Sequence, residues 1–85
     1  MEPAWHVYIL RCADGTLYTG VTTDLARRVK EHNESPEGAK YTRARRPVSL
    51  VYSEPFLNRS EACAREAAIK ALSREAKTRL FERVD

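Results

Sequence analysis

Between Trp5 and Arg11 and again between Leu17 and Thr22 the chain is rich in β-branched and aromatic side chains, and the intervening Ala13-Asp14-Gly15 carries turn chemistry, which predicts a β-hairpin. Alternation at period two sorts the hairpin into two sets. The odd-numbered residues Trp5, Val7, Ile9, Leu17 and Val21 are apolar and suit a core, whereas His6, Tyr8, Leu10, Cys12, Thr16, Tyr18, Gly20 and Thr22 are rich in hydroxyls and polar rings. A two-residue Asp14-Gly15 turn would pair Tyr8 with Val21 and put Tyr8 and Tyr18 on opposite faces. A three-residue Ala13-Asp14-Gly15 loop, with Gly15 as a left-handed bulge, pairs Leu10 with Tyr18 and keeps apolar and polar sets apart. The second register is expected, because a one-residue slip would carry Leu17 and Val21 away from Trp5, Val7 and Ile9.

Leu25, Val29 and His32 recur at i, i+4 and i+7 behind possible caps at Thr22, Thr23 or Asp24, predicting a short helix over about 24–33. From Asn33 to Pro47 no period is sustained, and a loop or broken helix is expected. Val48 to Ser53, bounded by Pro47 and Pro55, reads as a third strand joining the hairpin's sheet. Asn58 or Ser60 can cap a helix running to about Leu72, with Glu61 completing a capping box to Asn58. Ser73 offers the next cap, and Leu72, Ala76, Leu80 and Val84, with Phe81, mark an amphipathic last helix that folds back over the sheet. The order β-β-α-β-α-α is that of a small α/β (α+β) sheet with helices packed on it.

Eighty-five residues suit one domain spanning 1–85, and 42% apolar with 32% charged residues is an ordinary globular balance. The longest apolar run, Val7 to Leu10, is far below the roughly 20 residues that span a bilayer, and no signal segment opens the chain, so no membrane association is expected. Cys12 and Cys63 form no Cys-x-x-Cys pair, which favours reduced thiols in a cytoplasm over zinc or a disulfide scaffold. The net charge of +3 permits a polyanionic partner without requiring one.

Four features carry candidate chemistry. Tyr8 and Tyr18 fall side by side on one hairpin face next to Gly20, an arrangement open to two readings, strand packing or a site where a ligand approaches backbone. At 100° per residue Arg28 and His32 flank the Leu25/Val29 stripe while Arg27 points away; Arg28 can hold a phosphate or cover the core with its aliphatic stem. Glu66, beside Ala62 and Ile69 in an alanine-rich helix expected to pack on several sides, is either a metal ligand or the partner of Lys70 at i, i+4, as Glu61 would be of Arg65. Lys40, Arg43, Arg45 and Arg46, with Tyr41 among them, form the densest basic stretch, suited to a nucleic-acid backbone or to solvent.

In this order and spacing, Val7-Tyr8-Ile9, Tyr18-Thr19-Gly20, Arg28, His32 and Glu66 resemble the GIY-YIG nuclease domain over nearly the whole chain. Leu17 to Asp24, Arg27-Arg28, Glu31-His32-Asn33, Lys40 to Arg43 and Pro47 look especially like its short stand-alone, YhbQ-like bacterial branch. The resemblance implies a three-stranded antiparallel sheet flanked by helices and metal-dependent endonucleolytic hydrolysis of nucleic-acid phosphodiesters, DNA more than RNA. By similarity Glu66 would hold one Mg²⁺ or Mn²⁺, Arg28 would offset charge on the phosphate, Tyr18 would serve as base or proton relay once activated, and Tyr8 and His32 would position water and phosphate. The chain departs from the family pattern in Val7 for the first Gly, Thr19 for the second Ile and Val21 for a common Lys, and it has no evident counterpart of the Asn that closes the site in several members. These departures bear on turnover more than on fold, and leave open a nucleic-acid-binding module that keeps the fold without useful catalysis. No part of the chain is left over to choose a target, a task that falls to Lys40, Arg43, Arg45 and Arg46 or to a partner protein.

Overall fold

The computed structural model describes residues 3–82. Strands β1 (Trp5–Arg11) and β2 (Leu17–Thr22) form the expected hairpin, followed by helix α1 (Leu25–Glu34), a one-turn helix α2 (Lys40–Arg43), strand β3 (Ser49–Phe56) and helices α3 (Arg59–Lys70) and α4 (Arg74–Phe81). The sheet has three strands in the order β2-β1-β3, antiparallel throughout. Apart from α2, which occupies the stretch expected to be loop or broken helix, the element order is the one read from the sequence.

The hairpin closes through Gly15 at φ +84°, and its register pairs Leu10 with Tyr18 and Tyr8 with Gly20. Asp14 stiffens the turn by accepting from the Thr16 amide at 3.0 Å and hydroxyl at 2.6 Å. Each long helix starts on an expected side chain: Asp24 accepts from the Arg27 amide, Asn58 from that of Glu61 and Ser73 from that of Ala76.

Helices cover both faces of the sheet. On the odd face Val7 and Ile9 are sealed beneath Ala62 and Ile69, with Trp5, Leu17, Val21, Phe56, Leu80 and Phe81 around them. On the even face Tyr8, Leu10, Cys12 and Val48 are buried under Leu25 and Val29 of α1. The even face is therefore a second core as well as a polar surface, with the polar groups gathered where Tyr8, Tyr18 and Gly20 meet.

Several details differ from the sequence expectation. Strand β3 runs on through Pro55 to Phe56, because at the edge of the sheet a missing amide breaks no ladder bond. Only Ala62 and Ile69 of α3 are buried; Ala64, Ala67, Ala68 and Ala71 face solvent, so α3 packs on one side. Arg65 turns from Glu61 to Glu54 on β3, donating at 3.1 Å to a carboxylate that also accepts from Tyr52. Val84, expected in the last apolar stripe, lies outside the described residues.

Gly20 is fixed by close approach. A Cβ there would lie 2.6 Å from Tyr8 Cζ and closer still to the Tyr8 hydroxyl, so the ring occupies the space that a side chain would need. Gly20→Ala is expected to displace Tyr8 and cost about 1–3 kcal/mol. In a thermal melt that is a fall of about 5–20 °C; an unchanged midpoint would show that Tyr8 can move aside freely.

Candidate active site

Tyr8, at the centre of the sheet, directs its hydroxyl to His32 Nε2 at 2.8 Å. His32, on the last turn of α1, is fully buried, and its Nδ1 lies 2.8 Å from Thr42 Oγ1 on α2. Thr42 gives its single proton to the Ala39 carbonyl at 2.9 Å, which makes Nδ1–H the donor to Thr42 and leaves the Nε2 lone pair to accept from Tyr8. The Ala39 amide also points at Nδ1, but at 3.4 Å it is too long to compete. The Tyr8 proton is thus committed to His32, and the phenol oxygen presents lone pairs elsewhere.

Both groups are held neutral. Burial pushes the Tyr8 phenol up to about 12, with the nearby Arg28 guanidinium pulling the other way. Burial, reinforced by the charge of Arg28, pushes His32 down to about 4. Tyr18 packs its ring edge against His32 with centroids 5.2 Å apart, and its hydroxyl has no hydrogen bond to the described residues. Tyr41 lies beyond it, 6.0 Å from Tyr18 and capped by Arg45 at 3.9 Å.

Arg28 donates from Nη1 to the Glu31 carboxylate and to the Glu37 carbonyl, each at 3.0 Å. These bonds fix the guanidinium, which also lies beside the Tyr8 hydroxyl. From the other face of the sheet, Glu66 on α3 reaches the same place, half-buried and 3.2 Å from Lys70. Glu66 therefore pairs with Lys70, as one sequence reading expects, while its side chain also lines the site.

The meeting place is a groove of about 260 Å³ that passes over edge strand β2 at Gly20, lined by Trp5, Tyr8, Tyr18, Val21, Arg28, Arg59, Cys63 and Glu66. Gly20, whose missing side chain makes room for the Tyr8 ring, lies where residues from both faces line one cavity. A larger depression of about 340 Å³ on the solvent side of α1, between Arg27 and Pro36, includes none of the tyrosines, Arg28 or Glu66. No cluster of three His, Cys, Asp or Glu side chains stands ready for a metal among the described residues. One carboxylate facing an open polar groove fits a hard cation such as Mg²⁺, which keeps most of its waters and takes few protein ligands.

The basic stretch divides. Arg46 donates to the carbonyls of His32 and Ser35, each at 2.6 Å, closing the end of α1, and Arg45 pairs with Asp14 at 3.0 Å while covering Tyr41. Lys40 and Arg43 stand exposed, without ion-pair partners among the described residues. Asn33 bonds both polar groups of Val48 and Asn58 caps α3, so neither closes the groove. The sequence reading missed Trp5, Arg59 and Thr42 as neighbours of the site; Arg59, Cys63 and Glu66 at i, i+4 and i+7 share a helix face, and that spacing is the signal that would have found Arg59.

The GIY-YIG catalytic domain family model matches residues 4–79. The UPF0213 protein DP2720 of Desulfotalea psychrophila is 64% identical over 81 residues, 95% of this chain and 74% of its own length. The UPF0213 protein VNG_2274C of Halobacterium salinarum is 58% identical over 76 residues, 89% of this chain and 97% of its own. The solution structure of the UPF0213 protein BH0048 from Bacillus halodurans matches at a TM-score of 0.57 and 50% identity, covering 89% of this chain and 80% of that one. The protein EF2693 from E. faecalis matches at 0.60 and 41%, covering 100% and 97%.

The folded-state value of His32 lies below its ordinary 6.5, so its contribution to stability is complete above about pH 6.5 and is lost as pH falls toward 4. Between pH 7.5 and 5.5 the urea-unfolding free energy should drop by about 1 kcal/mol more in the wild type than in His32→Gln. Equal pH dependence in the two would rule out a neutral, sealed His32.

Proposed function

The chain belongs to the GIY-YIG catalytic-domain family, and on that footing we propose that it is a divalent-metal-dependent endonuclease hydrolysing phosphodiester bonds of nucleic acid, with DNA the favoured substrate. The observation that carries the reading is the convergence of Tyr8, Tyr18, Arg28 and Glu66 on one groove across Gly20. Glu66 would hold Mg²⁺ or Mn²⁺, water and a substrate phosphate oxygen filling the remaining positions. When bound, the ion supplies Lewis-acid polarisation of the phosphate and lowers the cost of deprotonating a nearby water.

The chain's own residues account for the other demands of the reaction. Arg28, already fixed by Glu31 and Glu37, presents its free N–H groups to phosphate oxygens as charge builds on them, with no reorganisation at the moment of reaction. Tyr8 cannot be the base, because its proton is committed to His32 and its phenol is held up at about 12; its lone pairs instead accept an O–H of the attacking water and aim it. Tyr18, whose hydroxyl is uncommitted, relays the proton that the water sheds, taking it up as its own phenolic proton passes to solvent. The water oxygen bonds to phosphorus, the bond to one sugar oxygen breaks, and that oxygen takes a proton from solvent and leaves as an alcohol.

Lys40 and Arg43 extend the positive surface beside Tyr41 and give a backbone its first contacts, while selection of a target falls to them or to a partner protein. No described helix is long and apolar enough to cross a membrane, and the thiols Cys12 and Cys63 are free, in keeping with a cytoplasmic site of action.

Single-stranded, duplex and branched DNA and RNA incubated with Mg²⁺ or Mn²⁺ should be cleaved by the wild type. Arg28→Ala and Glu66→Gln, with circular dichroism unchanged, should each lower the rate by about 10²–10³. Salt-sensitive binding without cleavage would replace the nuclease with a binding module; cleavage that survives in both variants would remove these residues from the chemistry.

A further inference from the structure

The arginines of this chain are mostly engaged. Arg11, Arg27, Arg28, Arg45, Arg65 and Arg79 each lie against a carboxylate, and Arg46 holds carbonyls at the end of α1. Arg59 has no such partner among the described residues, although it is the first residue of α3 and lines the groove. Its guanidinium carbon sits 5.8 Å from the centroid of the Trp5 ring, also a groove residue. A planar cation near an aromatic ring, open to solvent and unmatched by any acid among the described residues, is chemically equipped to grip a phosphate.

Its position says which phosphate. Arg28 enters the groove from α1 on one face of the sheet, and Arg59 from α3 on the other, with Gly20 of β2 and the Tyr8 ring packed on it also in the lining. Along α3, Arg59 precedes Glu66 by seven residues, about 10 Å of axial rise. The two side chains thus leave α3 two turns apart, a separation that suits Arg59 to a different phosphate of the same strand from the one seated by Arg28 and Glu66.

Resting on the nuclease reading above, we propose that Arg59, supported by Trp5, is a second backbone-holding position that grips a phosphate neighbouring the scissile one. The groove then takes a polynucleotide strand laid across the sheet edge, and an isolated diester satisfies only half of it.

Trp5 is the sole tryptophan, so its fluorescence reports directly on this end of the groove. A mixed-sequence single-stranded oligodeoxynucleotide, titrated without divalent cation so that no turnover intervenes, should change Trp5 emission on binding. In Arg59→Ala the affinity should fall about 3–10-fold and the slope of log K against log[salt] should shrink by about 0.7, the value for one phosphate contact on a single strand. Arg59→Lys, which keeps the charge, should restore the slope. Arg74→Ala, the same loss of charge on α4, should leave it unchanged.

An unaltered slope in Arg59→Ala, an equal loss in Arg74→Ala, or absence of wild-type binding would overturn the proposal. Binding that depends on Arg59 in a protein that cleaves nothing with Mg²⁺ or Mn²⁺ would uphold this position and overturn the nuclease reading instead.

Discussion

The hydrogen bond from the Tyr8 hydroxyl to Nε2 of the fully buried His32 is the interaction on which the site depends. His32 cannot turn to solvent for a replacement partner, so the bond fixes the central strand against α1. The requirement propagates outward. His32 needs a second partner and obtains it from Thr42, which holds α2 in place through Ala39; the Tyr8 ring needs room and obtains it from Gly20. Arg46 and Asn33 then bind the end of α1 to the following segment, so the helix that carries Arg28 is held at its C-terminal end as well.

From that constraint comes a site that belongs to neither face of the sheet. Most small sheets keep their two faces chemically separate, because side chains alternate. Here the tyrosines and Arg28 lie on the α1 side and Glu66 on the α3 side, and they line one cavity at the edge strand β2. A central strand could not serve, since its neighbour's backbone would block the passage. Glu66 and Arg28 thus reach the groove from opposite sides of the sheet.

Much of this was legible in the sequence, and the parts that were not share a cause. Period two and the glycine at the turn fixed the register, which put Tyr8 and Tyr18 together, and the helical angle separated Arg28 from Arg27. Caps at Asp24, Asn58 and Ser73 marked where helices begin. These signals are local. The fate of a charge is set by partners far along the chain: Arg45 meets Asp14, Arg46 the carbonyls of α1, Arg65 Glu54, and none of these pairings has a spacing that betrays it. A run of bases that reads as one patch is therefore two structural arginines and two exposed cations, while Arg59, isolated in sequence, stands in the groove. Strand β3 passed through Pro55 for a similar reason, since only the assembled sheet reveals which strand lies at an edge.

The placement of the groove over β2 has a further consequence for the chain in a crowded solution. An edge strand offers unpaired amides and carbonyls to any other extended segment, and unprotected edges seed aggregation. Along this one, an incoming strand would have to cover the half-buried Glu66 and Arg28 and strip them of water, while Pro55 interrupts the corresponding donors on the opposite edge at β3. The Arg28 and Glu66 charges that line the groove also make this edge a poor template for another β-strand, so their joint loss would cost the protein colloidal stability.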